Sequence, residues 1–151
     1  MPITITLHLL AAIIWIGGMF FAYMILRPCA AQQLPPPQRI ILWHDCFKRF
    51  FPWVWGSIII LIGTGYSMTL ILFDGVNNSG WHIKAMGING LLMTSLFAYL
   101  YLHPYTQFKR LVAKERYPEA GQALASIRTI IGINLIIGLL TTITATMGDI
   151  R

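Results

Sequence analysis

Four long stretches of the sequence are almost free of charged residues, and they restrict the chain to one class of fold. Each approaches the roughly 20 residues that a helix needs to cross about 30 Å of hydrocarbon. The runs are continuously apolar rather than alternating, which argues against a transmembrane β-barrel. We therefore predict an all-α membrane protein, a bundle of four transmembrane helices. The predicted helices cover about residues 3–26, 52–73, 82–103 and 129–147.

The composition supports a single membrane-embedded domain over residues 1–151. Hydrophobic residues make up 56% of the chain and charged residues only 11%, which is too apolar for an ordinary soluble domain. The first apolar run has no basic residue before it, and Arg27-Pro28 follows it in place of a small-residue cleavage site. This pattern predicts a retained helix rather than a secretory signal.

The basic residues predict the orientation of the bundle. Nine of the 11 Lys and Arg residues lie in the connecting segments 27–51 and 104–128, whereas the C-terminus carries only Arg151. By the positive-inside rule, both segments are cytoplasmic loops and both termini lie outside, as in a bacterial-type inner membrane. The net charge of +6 then reflects orientation and a match to the anionic lipid bilayer, and it gives no reason to expect a nucleic-acid partner.

The two basic segments also contain helix signals. Apolar residues at helical spacing between residues 40 and 50 predict either an interfacial helix or a cytoplasmic extension of helix 2 that Pro52 kinks. Pro118 and Glu119 are typical of a helix start, and no breaker separates them from helix 4. We therefore expect the helices to extend on the cytoplasmic side of the membrane.

Polar groups inside a membrane are costly and usually face the interior of a bundle, so the histidines are the first candidates for chemistry. His8 lies near the outer end of helix 1, and His82 opens helix 3 at the same predicted surface. His44 and His103 belong to the cytoplasmic end, where His44-Asp45-Cys46 beside His103 forms a second candidate metal site. The strongest predicted pair is His8 with His82.

Each of these two histidines heads a stripe of residues at helical spacing. The stripe on helix 1 consists of His8, Ala12, Trp15, Met19 and Ala22, and that on helix 3 consists of His82, Met86, Asn89, Met93 and Leu96. The second stripe is polar and rich in thioether, where a lipid-facing stripe would be Leu and Ile. We expect both stripes to face the interior of the bundle.

Three interpretations fit these residues. Two imidazoles on facing helices suit the axial positions of haem b, with Trp15, Met19, Met86 and Lys84 beside it, where Lys84 either meets a carboxylate or extends to the surface. The same imidazole and thioether groups suit Cu(I), with Met86 or His103 as further ligands. The third interpretation makes the histidines ordinary interfacial residues that hydrogen-bond to their neighbours.

Two stretches resemble known membrane families. "LHLLAAIIWIGGMFFAYMILRP" looks like the first helix of CopD-type copper-resistance proteins and of the related HemJ-type protoporphyrinogen oxidases. "GWHIKAMGINGLLMTSLFAYLYLH" is similar to the HemJ-type third helix, with Trp81, Lys84 and His103 at the matching positions. In helix 4 the sequence differs from the HemJ-type pattern, because "IRTIIGINLII" has Arg128 and Asn134 without a following glutamate.

The resemblance implies haem b binding, with six-electron oxidation of protoporphyrinogen in the HemJ-like case and copper uptake across the inner membrane in the CopD-like case. CopD-type proteins usually have more membrane helices, so copper transport by this chain implies a homo-oligomer. The leading hypothesis is a membrane oxidoreductase or electron-transfer protein that holds haem b with His8 and His82. Its partner would be a quinone or an outer-face redox protein. The alternatives are a copper-binding protein and a structural or assembly subunit without a cofactor.

Overall fold

The computed structural model describes residues 1–148, so Arg151, used above to predict orientation, lies outside the described residues. The helices are α1 Pro2–Phe20, a π-helical segment Phe21–Leu26, α2 Arg27–Gln33, α3 Pro36–Phe73, a short 3-10 turn Val76–Asn78, α4 Trp81–Leu102, α5 Pro104–Ala113 and α6 Tyr117–Met147. The four spans long and apolar enough to cross a membrane are Pro2–Gln33, Pro36–Phe73, Trp81–Ala113 and Tyr117–Met147. The prediction of an all-α protein with four transmembrane helices is confirmed.

The helices pack as a four-cornered bundle. Helix α1 packs mainly on α3 and also on α6, and α4 packs mainly on α6, with few contacts to α3. Helices α1 and α4 therefore occupy opposite corners, with α3 and α6 between them. They meet across the centre of the bundle through Trp15 and Phe97, whose rings are 6.4 Å apart edge to face.

The first span continues beyond its predicted end at residue 26. The segment Phe21–Leu26 widens into a π-helix, and α2 then carries the chain on to Gln33. Arg27-Pro28 is typical of a helix end, because proline lacks the N–H that a continuous α-helix requires. Here Pro28 lies in the first turn of α2, directly after the π-helical segment, where a change of hydrogen-bond register removes that requirement.

The segments predicted as cytoplasmic loops are largely helical. Helix α3 begins at Pro36 and passes through Pro52 without ending, which corresponds to the extension of helix 2 rather than a separate interfacial helix. Residues 104–128 form α5 and the first part of α6. Helix α6 begins at Tyr117, beside the predicted start signals, and Glu119 in its first turn accepts a hydrogen bond of 3.0 Å from Arg116.

The core lies towards one end of the bundle. We call the end that holds residue 1 and the α3–α4 connection the terminal end, and the end that holds α2 and α5 the basic end. Aromatic rings fill the core near the basic end, with Phe51 stacked on Phe47 at 4.9 Å and edge-on to Tyr105 at 4.7 Å. At the terminal end, no hydrophobic residue of the described segments 1–10, 59–92 and 139–148 is buried. The terminal half of the bundle is therefore the loosely packed half.

Candidate functional site

His8 lies between α1 and α3 in this loosely packed half. Its side chain is partly buried, and its Nδ1 is 2.8 Å from the Thr64 hydroxyl oxygen. Gly65, the next residue of α3, leaves space for the ring, since a Cβ atom there would lie 3.4 Å from His8 Cε1. The imidazole is thus held by a hydrogen bond on one side and by close contact with a glycine backbone on the other.

The hydrogen bonds of Thr64 favour one tautomer of His8. The single hydroxyl proton of Thr64 is donated to the carbonyl oxygen of Ile60, one turn earlier in α3. Towards His8 the same oxygen can therefore only accept, so the neutral imidazole donates from Nδ1–H. In this tautomer the Nε2 lone pair remains available as a metal ligand, which is the arrangement that hydrogen-bonded histidine ligands usually adopt.

His82 has a different set of neighbours. It lies in the first turn of α4, with its ring against Gly80 on one side and Gly148, after the end of α6, on the other. A Cβ atom at Gly80 would lie 2.7 Å from His82 Cε1, and one at Gly148 would overlap the ring. The rings of Trp81 and His82 are edge to face, with their centroids 6.1 Å apart. His8 is therefore packed against α3, and His82 against the C-terminal end of α6.

The two predicted stripes face inward to different degrees. Trp15 and Met19 are buried in the core, whereas Met86 is partly buried. Met93 is buried where three helices converge: a Cβ atom at Gly138 of α6 would lie 3.2 Å from Met93 Cε and 3.0 Å from Ile16 Cγ1 of α1. The thioether of Met93 therefore lies on the inner side of the bundle, two turns from Met86 towards the basic end.

The remaining predicted residues lie at the two ends. Lys84 is exposed, and its ammonium group donates a hydrogen bond of 3.1 Å to the carbonyl oxygen of Asn77 in the α3–α4 connection. At the basic end, His103 is exposed and stacks on Tyr99 at 5.0 Å, while His44 lies 3.4 Å from Asp45. Within residues 1–148, no three His, Cys, Asp or Glu side chains are grouped so that they could hold a metal ion.

Two features of the candidate sites have only weak signals in the sequence. Thr64 is a threonine in a membrane helix, where the hydroxyl ordinarily bonds to its own helix, so nothing in the sequence links it to His8. The second feature is a cavity of about 400 Å³ near the basic end, lined in part by Arg27, Arg39 and Arg128. In the sequence these arginines serve to predict orientation, and only the fold brings them together.

Comparison with known families and proteins shows to which family the chain belongs. The model of the family described as copper resistance protein D matches residues 44–147, which is more than half of the chain. The match includes His44, His82 and His103 and begins after α1, so His8 lies outside it. No curated protein and no solved structure matches the sequence. The chain belongs to the copper resistance protein D family.

Proposed function

We propose that this membrane protein binds Cu(I) through histidine and methionine side chains in the terminal half of its helix bundle. The observation that carries the proposal is the inward stripe of α4, on which His82, Met86 and Met93 supply an imidazole and two thioethers at increasing depth. Membership of the copper resistance protein D family supports copper over other metals.

The chemistry of these ligands suits a cation inside a bilayer. Imidazole and thioether are neutral, and thioethers are soft donors that favour Cu(I) over Mg²⁺, Ca²⁺ or Mn²⁺. A neutral ligand set avoids the cost of placing carboxylates in hydrocarbon, and the bound ion supplies the only charge. Met86 lies in the half of the bundle that has few buried side chains, away from the aromatic core.

His8 contributes a second imidazole from the opposite corner of the bundle. Its Nδ1–H is engaged with Thr64, so Nε2 is the ligand atom that it offers. His82 and Met86 offer ligands from α4, and Met93 lies about 10 Å beyond Met86 along the helix axis at 1.5 Å per residue. Under this proposal copper enters at the terminal end and is held first by imidazole and then by thioether. In its fuller form, the proposal is that a homo-oligomer of this chain transfers copper across an inner membrane.

The family assignment is the reason to propose copper before haem b. A bis-histidine haem requires two imidazoles that approach one iron from opposite sides. His8 packs against α3 and His82 against α6, and membership of the copper resistance protein D family favours copper as the metal that they bind. An electron-transfer role with a quinone or an outer-face redox protein depends on that haem and loses support with it.

Cu(I) titration of the purified protein tests the proposal. The full chain in neutral detergent is titrated anaerobically against bicinchoninate, and copper is counted by mass spectrometry. We expect Met86→Leu and His82→Ala each to weaken Cu(I) binding by about tenfold or more, since each removes a ligand. Met24→Leu is the matched control, because Met24 is 53% exposed on the outer face of the first span.

Three results would overturn the copper proposal. The first is Cu(I) binding no tighter than that of detergent alone, and the second is equal Cu(I) binding by the Met86→Leu and Met24→Leu variants. The third is a coloured protein whose reduced spectrum has a sharp α-band that disappears in both His8→Ala and His82→Ala, because that result identifies a haem held by the two imidazoles.

A further inference from the structure

The cavity near the basic end is lined by three arginines and by apolar side chains. It has a volume of about 400 Å³ and lies between the π-helical segment, α2, α3 and α6. Arg27, Arg39 and Arg128 line it from three different helices, and no aspartate or glutamate among residues 1–148 lines it. The cavity therefore concentrates positive charge in one place without a carboxylate to balance it.

Arg39 is held in place but incompletely bonded. Its Nη2 donates hydrogen bonds to the carbonyl oxygens of Ala31 at 3.3 Å and Leu34 at 3.1 Å, which fixes the guanidinium against the end of α2. Its Nε is buried and has no hydrogen-bond partner in the part of the chain that the structure describes. A buried donor without a partner is costly, and an oxygen ligand in the cavity would satisfy it.

The other two arginines add charge with little internal pairing. Arg27 stacks over the Tyr23 ring, 4.9 Å from its centroid, and this ring lies against Gly132 of α6, where a Cβ atom would come within 2.9 Å of Tyr23 Cε2. Arg128 is exposed and forms no ion pair within residues 1–148. Glu119, the acidic residue in the first turn of α6, is bound by Arg116 outside the cavity.

Several of the other lining residues are apolar. Ile40 and Trp43 of α3 and Leu124 and Ile131 of α6 form this part of the wall. A free phosphate ion would leave that apolar surface uncovered, whereas the glycerol and upper acyl chain of a lipid would cover it. The nine basic residues of segments 27–51 and 104–128 also give this end the charge that attracts anionic lipid surfaces.

We propose that this cavity binds the phosphate group of an anionic phospholipid, with Arg39 and Arg128 as donors to the phosphate oxygens and Trp43 against the acyl chain. Arginine is the side chain best suited to such binding, because its planar fork donates two parallel hydrogen bonds to phosphate. Basic pockets between transmembrane helices are a recognised form of lipid headgroup site. This proposal does not depend on copper binding at the opposite end of the bundle.

Native mass spectrometry of the full chain in nonionic detergent tests the proposal. Phosphatidylglycerol and phosphatidylcholine with identical acyl chains are titrated separately, and glycerol phosphate and inorganic phosphate serve as soluble sources of the same group. We expect phosphatidylglycerol to bind about tenfold tighter than phosphatidylcholine, and Arg39→Gln and Arg128→Gln each to remove most of that preference.

Arg110→Gln is the matched control, since it removes the same charge from an exposed position on α5 outside the cavity. Arg128→Gln guards against misfolding, because Arg128 makes no side-chain hydrogen bond within the described residues, unlike Arg39. Three results would overturn the proposal: no preference between the two lipids, an equal loss in Arg110→Gln and Arg128→Gln, or binding of glycerol phosphate or inorganic phosphate as tight as that of phosphatidylglycerol. The last result would assign the cavity to a soluble phosphate.

Discussion

Asn134 donates a hydrogen bond of 3.1 Å from its side-chain nitrogen to the backbone carbonyl oxygen of Met93, and so joins α6 to α4 inside the core. Asn134 is only 1% exposed, and its Oδ1 is buried without a partner within the described chain. The bond fixes the helix that carries the proposed copper ligands against its main packing partner. Because this hydrogen bond joins two spans inside the core, mutation of Asn134 tests how much a polar contact between helices stabilises the bundle.

Asn134→Ala is expected to lower the free energy of unfolding by about 0.6 kcal/mol and by at most about 1.7 kcal/mol, the average and the maximum that double-mutant cycles give for hydrogen bonds between membrane helices. Unfolding in mixed micelles, followed by tryptophan fluorescence, measures the change. Asn89→Ala is the control, because Asn89 is partly buried in α4 and makes no side-chain hydrogen bond among residues 1–148. If Asn89→Ala lowers the free energy of unfolding as much as Asn134→Ala does, the Asn134 hydrogen bond does not account for the loss of stability.

Alanine substitution at two adjacent glycines of α1 is expected to have different effects on the free energy of unfolding. A Cβ atom at Gly18 would overlap the Phe50 ring of α3, whereas one at Gly17 would meet no atom of the described residues within 4 Å. Gly18→Ala should therefore destabilise the bundle by about 1–3 kcal/mol through overpacking. Gly17→Ala should be neutral or stabilise by up to about 1 kcal/mol, because alanine favours a helix over glycine. The same unfolding measurement compares the two variants, and equal effects would contradict the packing of α1 on α3.

The aromatic core is expected to depend on packing rather than on hydrophobicity alone, because lipid is as apolar as the protein interior. Phe51 is 2% exposed and contacts Phe47, Phe97 and Tyr105. Phe51→Ala should cost about 3–5 kcal/mol through the cavity that it leaves. Trp53→Ala removes a larger ring at a position that is 65% exposed, and should change stability by less than about 0.5 kcal/mol in lipid nanodiscs. A comparable loss in both variants would mean that lipid contact and core packing contribute equally.

The sequence was sufficient to predict the four membrane helices, because a bilayer imposes a length and a composition that are visible without any tertiary information. The inward direction of Trp15, Met19 and Met93 also follows from helical spacing. Spacing identifies a shared face, however, and does not identify the helix that the face meets. Spacing predicts His8 and His82 as a pair at similar depth, and only the fold shows that His8 packs against α3 and His82 against α6.

The arginine cavity illustrates a second limit of sequence reasoning. Arg27, Arg39 and Arg128 are separated along the chain, and each was sufficiently explained by the positive-inside rule. Their convergence depends on the continuation of the first span through the π-helical segment to Gln33, beyond the predicted helix end at residue 26. Such a change of helical register leaves no reliable mark in composition or periodicity.

Thr64→Val is expected to weaken Cu(I) binding by about tenfold while leaving the fold intact, since support of a ligating histidine from a neighbouring side chain is commonly worth that much. Valine keeps the shape of threonine but cannot accept the Nδ1–H of His8, so the ring loses both its orientation and its fixed tautomer. Competition with bicinchoninate measures the affinity, and ¹⁵N shifts of labelled histidine report the tautomer. Thr64→Ser, which keeps the hydroxyl, should retain both properties.

Thr69→Val provides the matched control for Thr64→Val. It makes the same substitution five residues later in α3, at a hydroxyl that bonds to the carbonyl oxygen of Gly65 at 2.8 Å and, within the described segment 1–148, to no other helix. If His8 binds copper through Nε2, only the Thr64 variant loses affinity, because only Thr64 holds a histidine in the correct tautomer. Equal affinities in the two variants, with a changed His8 tautomer in Thr64→Val, would remove His8 from the copper ligands and leave His82, Met86 and Met93 as the proposed set.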